Sequence, residues 1–154
     1  MEPTPDELAG IVDLFGGLSR DQLGRGLSEL AFKRGERVDD DAFDEEIDAA
    51  VATYRLVAVE TDDGRLLVPG PAAFPELPEG AEDLPHILDA GETHLDRERV
   101  ASAAVERFRS DVDAAIEAGD QDRIEQLLDV SYELSAWGAV DVAAERDRLV
   151  AAGE

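Results

Sequence analysis

The chain has 154 residues, with 38 acidic and 14 basic side chains and a formal net charge of −24 at pH 7. Cysteine is absent, which excludes disulfides, thiolate catalysis and cysteine-ligated metal sites. No apolar run approaches the roughly 18 residues of a membrane span, and the start, MEPTPDE, lacks the features of a signal peptide. We therefore expect a globular, cytoplasmic protein that makes no membrane contact.

The basic side chains have an unusual composition, because thirteen are arginine and only Lys33 is lysine. Arginine is more weakly hydrated than lysine and pairs with carboxylates through two parallel hydrogen bonds. In molar salt the Debye length falls to about 3 Å, so that repulsion among the carboxylates is screened. The acidity and the shortage of lysine resemble those of haloarchaeal proteins and predict a halophilic protein.

Capping patterns predict three helices in the first third of the chain. Capping boxes formed by Thr4 with Glu7, and by Ser19 with Gln22, begin the first two helices. Asp39 is the predicted cap of the third helix. The predicted buried faces are Leu8, Ile11, Val12 and Phe15 in the first helix, Leu23, Leu27, Leu30 and Ala31 in the second, and Phe43, Ile47, Val51 and Tyr54 in the third.

A β-hairpin is predicted directly after the third helix. Residues 56–59 are short and β-branched, Asp63-Gly64 is a hairpin turn signal, and residues 65–68 form the returning strand. Three helices followed by two strands is the element order of a winged helix. The short predicted connection between helices 2 and 3 fits a helix-turn-helix.

The stretch 69–85 contains five of the seven prolines, which excludes a helix or a central strand over most of its length. We expect Phe74 and Leu77 to pack this connector against the body of the protein. A short helix is predicted over residues 84–89.

The last third of the chain is predicted to contain three helices, capped by Thr93, Asp120 and Asp141. The first of them carries an apolar seam that either packs internally on Leu127 and Leu134 or faces a second copy of the chain. The seam consists of Ala101, Val105, Phe108, Val112 and Ala115.

Together these elements predict a mainly α fold with a small β-hairpin. A winged-helix-like N-terminal half is followed by a C-terminal helical bundle or hairpin. The predicted divisions are a winged-helix-like domain over residues 1–70, a proline-rich connector with a short helix over 71–92, and a three-helix segment over 93–154.

These features resemble an uncharacterised haloarchaeal family with a winged-helix-like N-terminal half. The segments LSELAFKRGE and FDEEIDAAV carry the resemblance, which covers about residues 4–70. It implies a fold and no reaction. The layout is also similar to that of the dimeric winged-helix regulators of the MarR type, in which the terminal helices form the dimer.

Neither the acidic residues nor the histidines form a recognisable metal motif. Seven of the ten residues 39–48 are acidic, but Phe43 and the lack of a central glycine break the calcium-loop pattern, so this run is interpreted as a solvated helix start. His94 and Glu98 fit one helix face without supplying the three ligands of a catalytic zinc site. We predict no metal, no cofactor and no catalytic residue, and therefore do not expect an enzyme. An enzyme with an unrecognised site is a third hypothesis, which a deep pocket with converging polar groups would support.

The one concentration of basic residues lies on and after helix 2. It has two interpretations, which are helix capping with internal ion pairing and a surface for an anionic partner. The candidate partner-surface residues are Arg20, Arg25, Lys33, Arg34 and Arg37, together with Phe108 of the seam.

The predicted function is a non-catalytic interaction or scaffold module in the cytoplasm of a halophilic archaeon. Its expected partner is an unidentified protein, with a homodimer as one option. The alternative is a dimeric winged-helix transcription regulator. The acidic third helix and the acidic hairpin tip, Asp62-Asp63, argue against nucleic acid, because phosphate contacts require lysine or arginine.

Overall fold

A computed structural model describes residues 1–62, 64–88, 93–138 and 140–153. The chain forms two compact units, Met1–Leu95 and Asp96–Glu154, whereas the three-part division expected from the sequence stays a prediction. Within the described residues, the elements are α1 (Pro5–Phe15), α2 (Arg20–Lys33), α3 (Asp44–Ala52), β1 (Leu56–Thr61), β2 (Gly64–Pro69), α4 (Leu84–Ile87), α5 (Arg97–Ala118), α6 (Gln121–Trp137) and α7 (Ala143–Ala152). A mainly helical fold with a small antiparallel hairpin is thereby confirmed.

The starts of α1 and α2 confirm the predicted capping boxes. The Glu7 amide donates to Thr4 Oγ1 at 3.1 Å, and the Thr4 amide donates to Glu7 Oε1 at 3.0 Å. Ser19 and Gln22 repeat this exchange at 3.1 and 2.9 Å. Each box satisfies two backbone donors that a helix start leaves open, so the sequence fixes both starts locally.

The prediction for the start of α3 is wrong. This helix begins at Asp44, and its N-terminus has no side-chain cap. Residues 40–43 form turns instead, with the Ala42 amide donating to the carbonyl oxygen of Asp39 at 3.0 Å. The physical reason is a close backbone approach, because a Cβ at Gly24 of α2 would collide with the carbonyl oxygen of Asp40. The connection between α2 and α3 is therefore ten residues long, 34–43.

The hairpin pairs β1 with β2 in antiparallel register, from Leu56 opposite Pro69 to Thr61 opposite Gly64. The second residue of the predicted turn, Gly64, has the positive φ of +112° that favours glycine, whereas Asp63 lies outside the described residues. Leu18, between α1 and α2, exchanges two backbone hydrogen bonds with Leu67 of β2, at 3.0 and 2.7 Å. This bridge attaches the hairpin to the helices.

The core of the first unit contains the predicted faces of α1 and α2 together with side chains from α3, the hairpin and the residues around α4. Its buried members include Leu8, Ile11, Val12, Phe15, Leu18, Leu23, Leu27, Leu30, Ala31, Phe43, Ile47, Ala50, Leu56, Leu67, Ala81, Leu84 and Leu88. Val51 of the predicted α3 face is only partly buried, whereas Tyr54 is fully buried but lies beyond the end of α3.

The segment after β2 is attached to the first unit by its backbone, and the predicted packing of Phe74 and Leu77 is wrong. Both side chains are exposed. Ala72 is buried, and its amide donates to the carbonyl oxygen of Tyr54 at 3.0 Å. The predicted short helix is α4, preceded by a 3₁₀ turn over Ala81–Asp83, and Asp89 lies outside the described residues.

The second unit is a three-helix arrangement in which α5, α6 and α7 all contact one another. Asp96 caps α5, so the prediction that Thr93 is the cap is wrong. The Thr93 amide instead donates to the carbonyl oxygen of Phe15, at the end of α1, at 2.7 Å. Asp120 caps α6 as predicted. Leu128 of α6 is half-buried and Val150 of α7 is exposed.

Every helix in the described ranges is too short or too polar to cross a bilayer.

Candidate interaction surface

The outer face of α2 carries the clearest surface feature of the first unit. The inward stripe of α2 leaves Arg25, Glu29 and Phe32 on the opposite side, at the spacing of successive helical turns. Gly35, with a φ of +82°, ends the helix in a Schellman motif, in which the Glu36 amide donates to the carbonyl oxygen of Ala31 at 2.9 Å. The chain therefore turns back at this point, and a groove lies between it and the outer face of α2.

We call this feature the α2 groove; its volume is about 560 Å³. Phe32, 61% exposed, and Val38, 39% exposed, are its apolar part. It is lined by Ser28, Glu29, Phe32, Glu36, Arg37, Val38 and Asp39. An aromatic side chain beside a second apolar one, with charges around them, is the arrangement of an interface anchor with a polar rim.

Ser28 contributes a further feature to the α2 groove. Its hydroxyl oxygen is buried and has no hydrogen-bond partner among the described residues. Buried polar groups in native proteins are nearly always paired, with protein, water or a bound group. Because this oxygen itself has no accessible surface, the Ser28 side chain would have to rotate to offer a hydrogen bond to a molecule in the α2 groove.

Arg20 is engaged inside the first unit. Its guanidinium donates to Asp44 at 3.4 Å and to Asp48, and both carboxylates belong to α3. This ion pair connects the start of α2 to the outer face of α3. For Arg20, the structure fits internal pairing and not a free partner surface.

Lys33 and Arg34 hold the segment before α4. Lys33 Nζ lies 3.4 Å from both the carbonyl oxygen of Gly80 and Asp83 Oδ2. Arg34 donates to the carbonyl oxygen of Glu79 at 3.2 Å. The two adjacent cations at the end of α2 therefore fix residues 79–83 onto the first unit.

Arg25 and Arg37 are the remaining candidates in this region, and both are exposed. Neither forms an ion pair with a carboxylate in the part of the chain that the structure describes. Arg37 lines the α2 groove, and Arg25 lies two helical turns before Phe32 on the same face. Of the five basic residues, these two are placed to contact a partner.

Phe108 does not lie on a surface, because it is completely buried. Val105, Val112 and Ala115 of the predicted seam are buried with it, as are Leu127 and Leu134 of α6. The structure therefore favours internal packing of the seam. Placing Phe108 in a partner surface does not fit this arrangement, because a side chain without exposed area offers no contact to a second molecule.

Sequence reasoning missed Phe32 and Val38. The signal available in the sequence is that Phe32 falls outside the apolar stripe of α2, whose members are spaced for the inner face. An aromatic residue out of phase with its helix is either exposed or covered from the other side, and the sequence does not distinguish these cases. No group of three or more histidine, aspartate or glutamate side chains among the described residues could hold a metal ion.

The chain belongs to DUF7109, a family of unknown function whose model matches residues 6–154. No curated protein and no solved structure matches the chain.

Proposed function

We propose that this chain is a non-catalytic protein-interaction module, and that the α2 groove is its docking surface. The observation that carries the proposal is the exposure of Phe32 beside Val38 in a groove with a charged rim. Aromatic side chains are enriched at interfaces because they bury a large area at a low cost in conformational entropy. The rim carries both signs of charge, with Glu29, Glu36 and Asp39 beside Arg37, so we expect a partner surface of mixed charge. Arg25 and Arg37, which form no ion pair with a carboxylate among the described residues, are the cations available to it.

The proposal includes a winged-helix-like N-terminal unit in a halophilic, cytoplasmic protein. The order α1, α2, α3, β1, β2 and the bridge from Leu18 to β2 support the winged-helix part. The net charge of −24 and the single lysine support the halophilic part. A cytoplasm filled with salt is the compartment in which such charge is screened.

The charge on α3 argues for a protein partner over DNA. In a winged-helix regulator this helix enters the major groove between two phosphate backbones. Here its first turn is Asp44, Glu45 and Glu46, and Arg20 is already engaged with Asp44 and Asp48. Each carboxylate adds repulsion and releases no counterion.

The DNA alternative is tested by fluorescence anisotropy with random and genomic duplexes in molar KCl. We expect no sequence-selective binding. Selective binding that is lost after substitutions in α3 would establish the regulator function instead.

The docking surface is tested by affinity capture in molar KCl with the wild-type chain, Phe32→Ser and Val150→Ser. Val150 is the matched control because it is an exposed aliphatic residue on a helix of the second unit. Each protein captured by the wild type is purified and its Kd measured against all three chains. Loss of a hot-spot side chain costs about 2 kcal/mol or more, so we expect Phe32→Ser to weaken binding by roughly thirtyfold and Val150→Ser to leave it unchanged. Equal affinities of all three chains would contradict the proposal.

A further inference from the structure

The segment 71–78, which we call the proline strap, has a backbone restricted by its own covalent structure. Pro75 and Pro78 fix their φ angles near −65°. Phe74 and Leu77 each precede a proline, which excludes them from helical geometry and favours extended or polyproline II backbone. Residues 73–78 accordingly form neither helix nor strand.

The backbone of the proline strap lies directly on α1. The Phe74 amide donates to Asp6 Oδ1 at 3.1 Å, and the Glu76 amide donates to the carbonyl oxygen of Asp6 at 3.0 Å. A Cβ at Gly10 would collide with the carbonyl oxygen of Glu76, so the absence of a side chain there allows this approach. Two hydrogen bonds and a backbone contact therefore hold the strap in place.

The two largest apolar side chains of the strap are on its outside. Phe74 is 80% exposed and Leu77 is 42% exposed. A connector normally turns such side chains toward the core, because burying them is favourable. Here the inner side is occupied by backbone and by the buried Ala72 and Pro78, so Phe74 and Leu77 are presented to solvent on a constrained segment.

We propose that Phe74–Leu77 is a ligand segment that docks into an apolar groove on a partner protein. Phe74, Pro75 and Leu77 are exposed, whereas the buried Pro78 anchors the end of the segment on the first unit. Because the backbone of the segment is already held in place, little conformational entropy remains to be lost on binding. The inference rests on the proposed function, but it uses a different surface from the α2 groove.

The negative charge of the strap indicates which charge the partner's groove carries. Glu76 and Glu79 are exposed acidic residues within and just after the strap, and the whole chain has a net charge of −24. A complementary groove therefore has lysine or arginine at its rim. A second copy of this chain does not fit that requirement, because its α2 groove carries Glu29, Glu36 and Asp39 against a single Arg37.

The test replaces Phe74, in the full chain, with a photo-crosslinking phenylalanine analogue, and uses Ile87 as the control position. Ile87 is 42% exposed but lies outside the strap. Crosslinking is performed in molar KCl with an extract of the source cells, and proteins crosslinked from position 74 and not from position 87 are identified and purified. Crosslinking at both positions alike, or only to a second copy of the chain, would overturn the inference.

The purified partner is then titrated with the wild-type chain, Phe74→Ser, Leu77→Ser and Phe32→Ser. We expect Phe74→Ser to weaken binding at least about tenfold, Leu77→Ser to weaken it less, and Phe32→Ser to have no effect. A free peptide of residues 71–79 is expected to bind more weakly than the folded chain, because Asp6 no longer holds its backbone.

The variants separate the two proposals. If affinity depends on Phe32 and not on Phe74, the interaction function stands and the strap inference is wrong. If it depends on Phe74 alone, the strap inference stands and this partner does not use the α2 groove, which is tested with the proteins captured through Phe32. Unchanged affinity with every variant would refute the strap inference.

Discussion

Arg146 is the polar centre of the second unit. Its Nε donates to Ser131 Oγ at 3.0 Å, and its Nη2 donates to the carbonyl oxygen of Ser131 at 3.0 Å and to Ser135 Oγ at 2.9 Å. The guanidinium also lies 4.3 Å from the centre of the Tyr132 ring. One α7 side chain therefore contacts three residues of α6, and only the planar fork of arginine has this geometry.

Arg146→Lys should lower the free energy of unfolding by about 1–2 kcal/mol, because an ammonium cannot reproduce the fork and leaves the buried Ser131 less well satisfied. Arg148→Lys on the same helix is the control. Arg148 is half exposed and pairs with an exposed Asp113, so its loss should cost less than about 0.5 kcal/mol. Urea unfolding in molar KCl measures both, and equal effects would show that the Arg146 contacts add no stability.

Phe108→Ala should destabilise the chain by about 3–5 kcal/mol, because it removes a completely buried aromatic ring and leaves a cavity. Urea unfolding combined with light scattering checks this. If Phe108 instead formed a partner surface, the variant would keep its unfolding free energy and lose only a dimer. Val150→Ala, at an exposed position, should change stability by less than about 1 kcal/mol.

At the scale of elements, local signals determine where α1 and α2 begin, and they fail for α3. A capping box involves residues three apart, so its contacts are complete before any tertiary packing forms. Asp39, Asp40 and Asp41 are all residue types that favour the N-cap position. In the structure none of them caps α3, because the carbonyl oxygen of Asp40 packs against the backbone of Gly24 in α2 and residues 40–43 form turns.

Ser19→Ala should therefore cost about 1 kcal/mol, because it removes one member of a formed capping box. Asp39→Ala should change stability by less than about 0.5 kcal/mol, since α3 begins at Asp44 and its N-terminus has no side-chain cap. Urea midpoints of the two variants distinguish these outcomes. A loss at Asp39 equal to that at Ser19 would place the start of α3 where the sequence predicts it.

At the scale of the whole molecule, charge governs the conditions under which the fold is stable. With 38 acidic and 14 basic side chains, most carboxylates have no basic counterpart. Several of the ion pairs that do form, such as Arg20 with Asp44 and Arg148 with Asp113, are exposed, and exposed pairs contribute little. Carboxylates that folding brings close together repel one another at low ionic strength, and added salt screens this repulsion.

The melting temperature should rise substantially between low salt and molar KCl. Each kcal/mol of repulsion removed raises Tm by roughly 2–4 °C for a chain of this size. The double variant Asp40→Asn with Asp41→Asn should melt higher than wild type at low salt and show a weaker salt dependence. Differential scanning calorimetry across KCl concentrations measures both. A flat Tm would remove the support for a halophilic protein.

The sequence by itself determined the local features of this protein. These are the capping boxes of α1 and α2, the hairpin predicted over residues 56–68, the Asp120 cap of α6 and the strongly acidic composition. Each depends on residues close together in the chain or on composition alone, so no knowledge of distant contacts is needed.

Only the tertiary structure decided the features on which function rests. It exposes Phe32 and Phe74, buries Phe108, engages Arg20, Lys33 and Arg34 internally, and leaves Arg25 and Arg37 without carboxylate partners among the described residues. The physical reason is that the type of an apolar or charged side chain does not determine which other residues it contacts in the folded chain. Whether it packs, pairs or faces solvent depends on segments that are distant in the chain, such as Phe74 and Asp6, which are 68 residues apart.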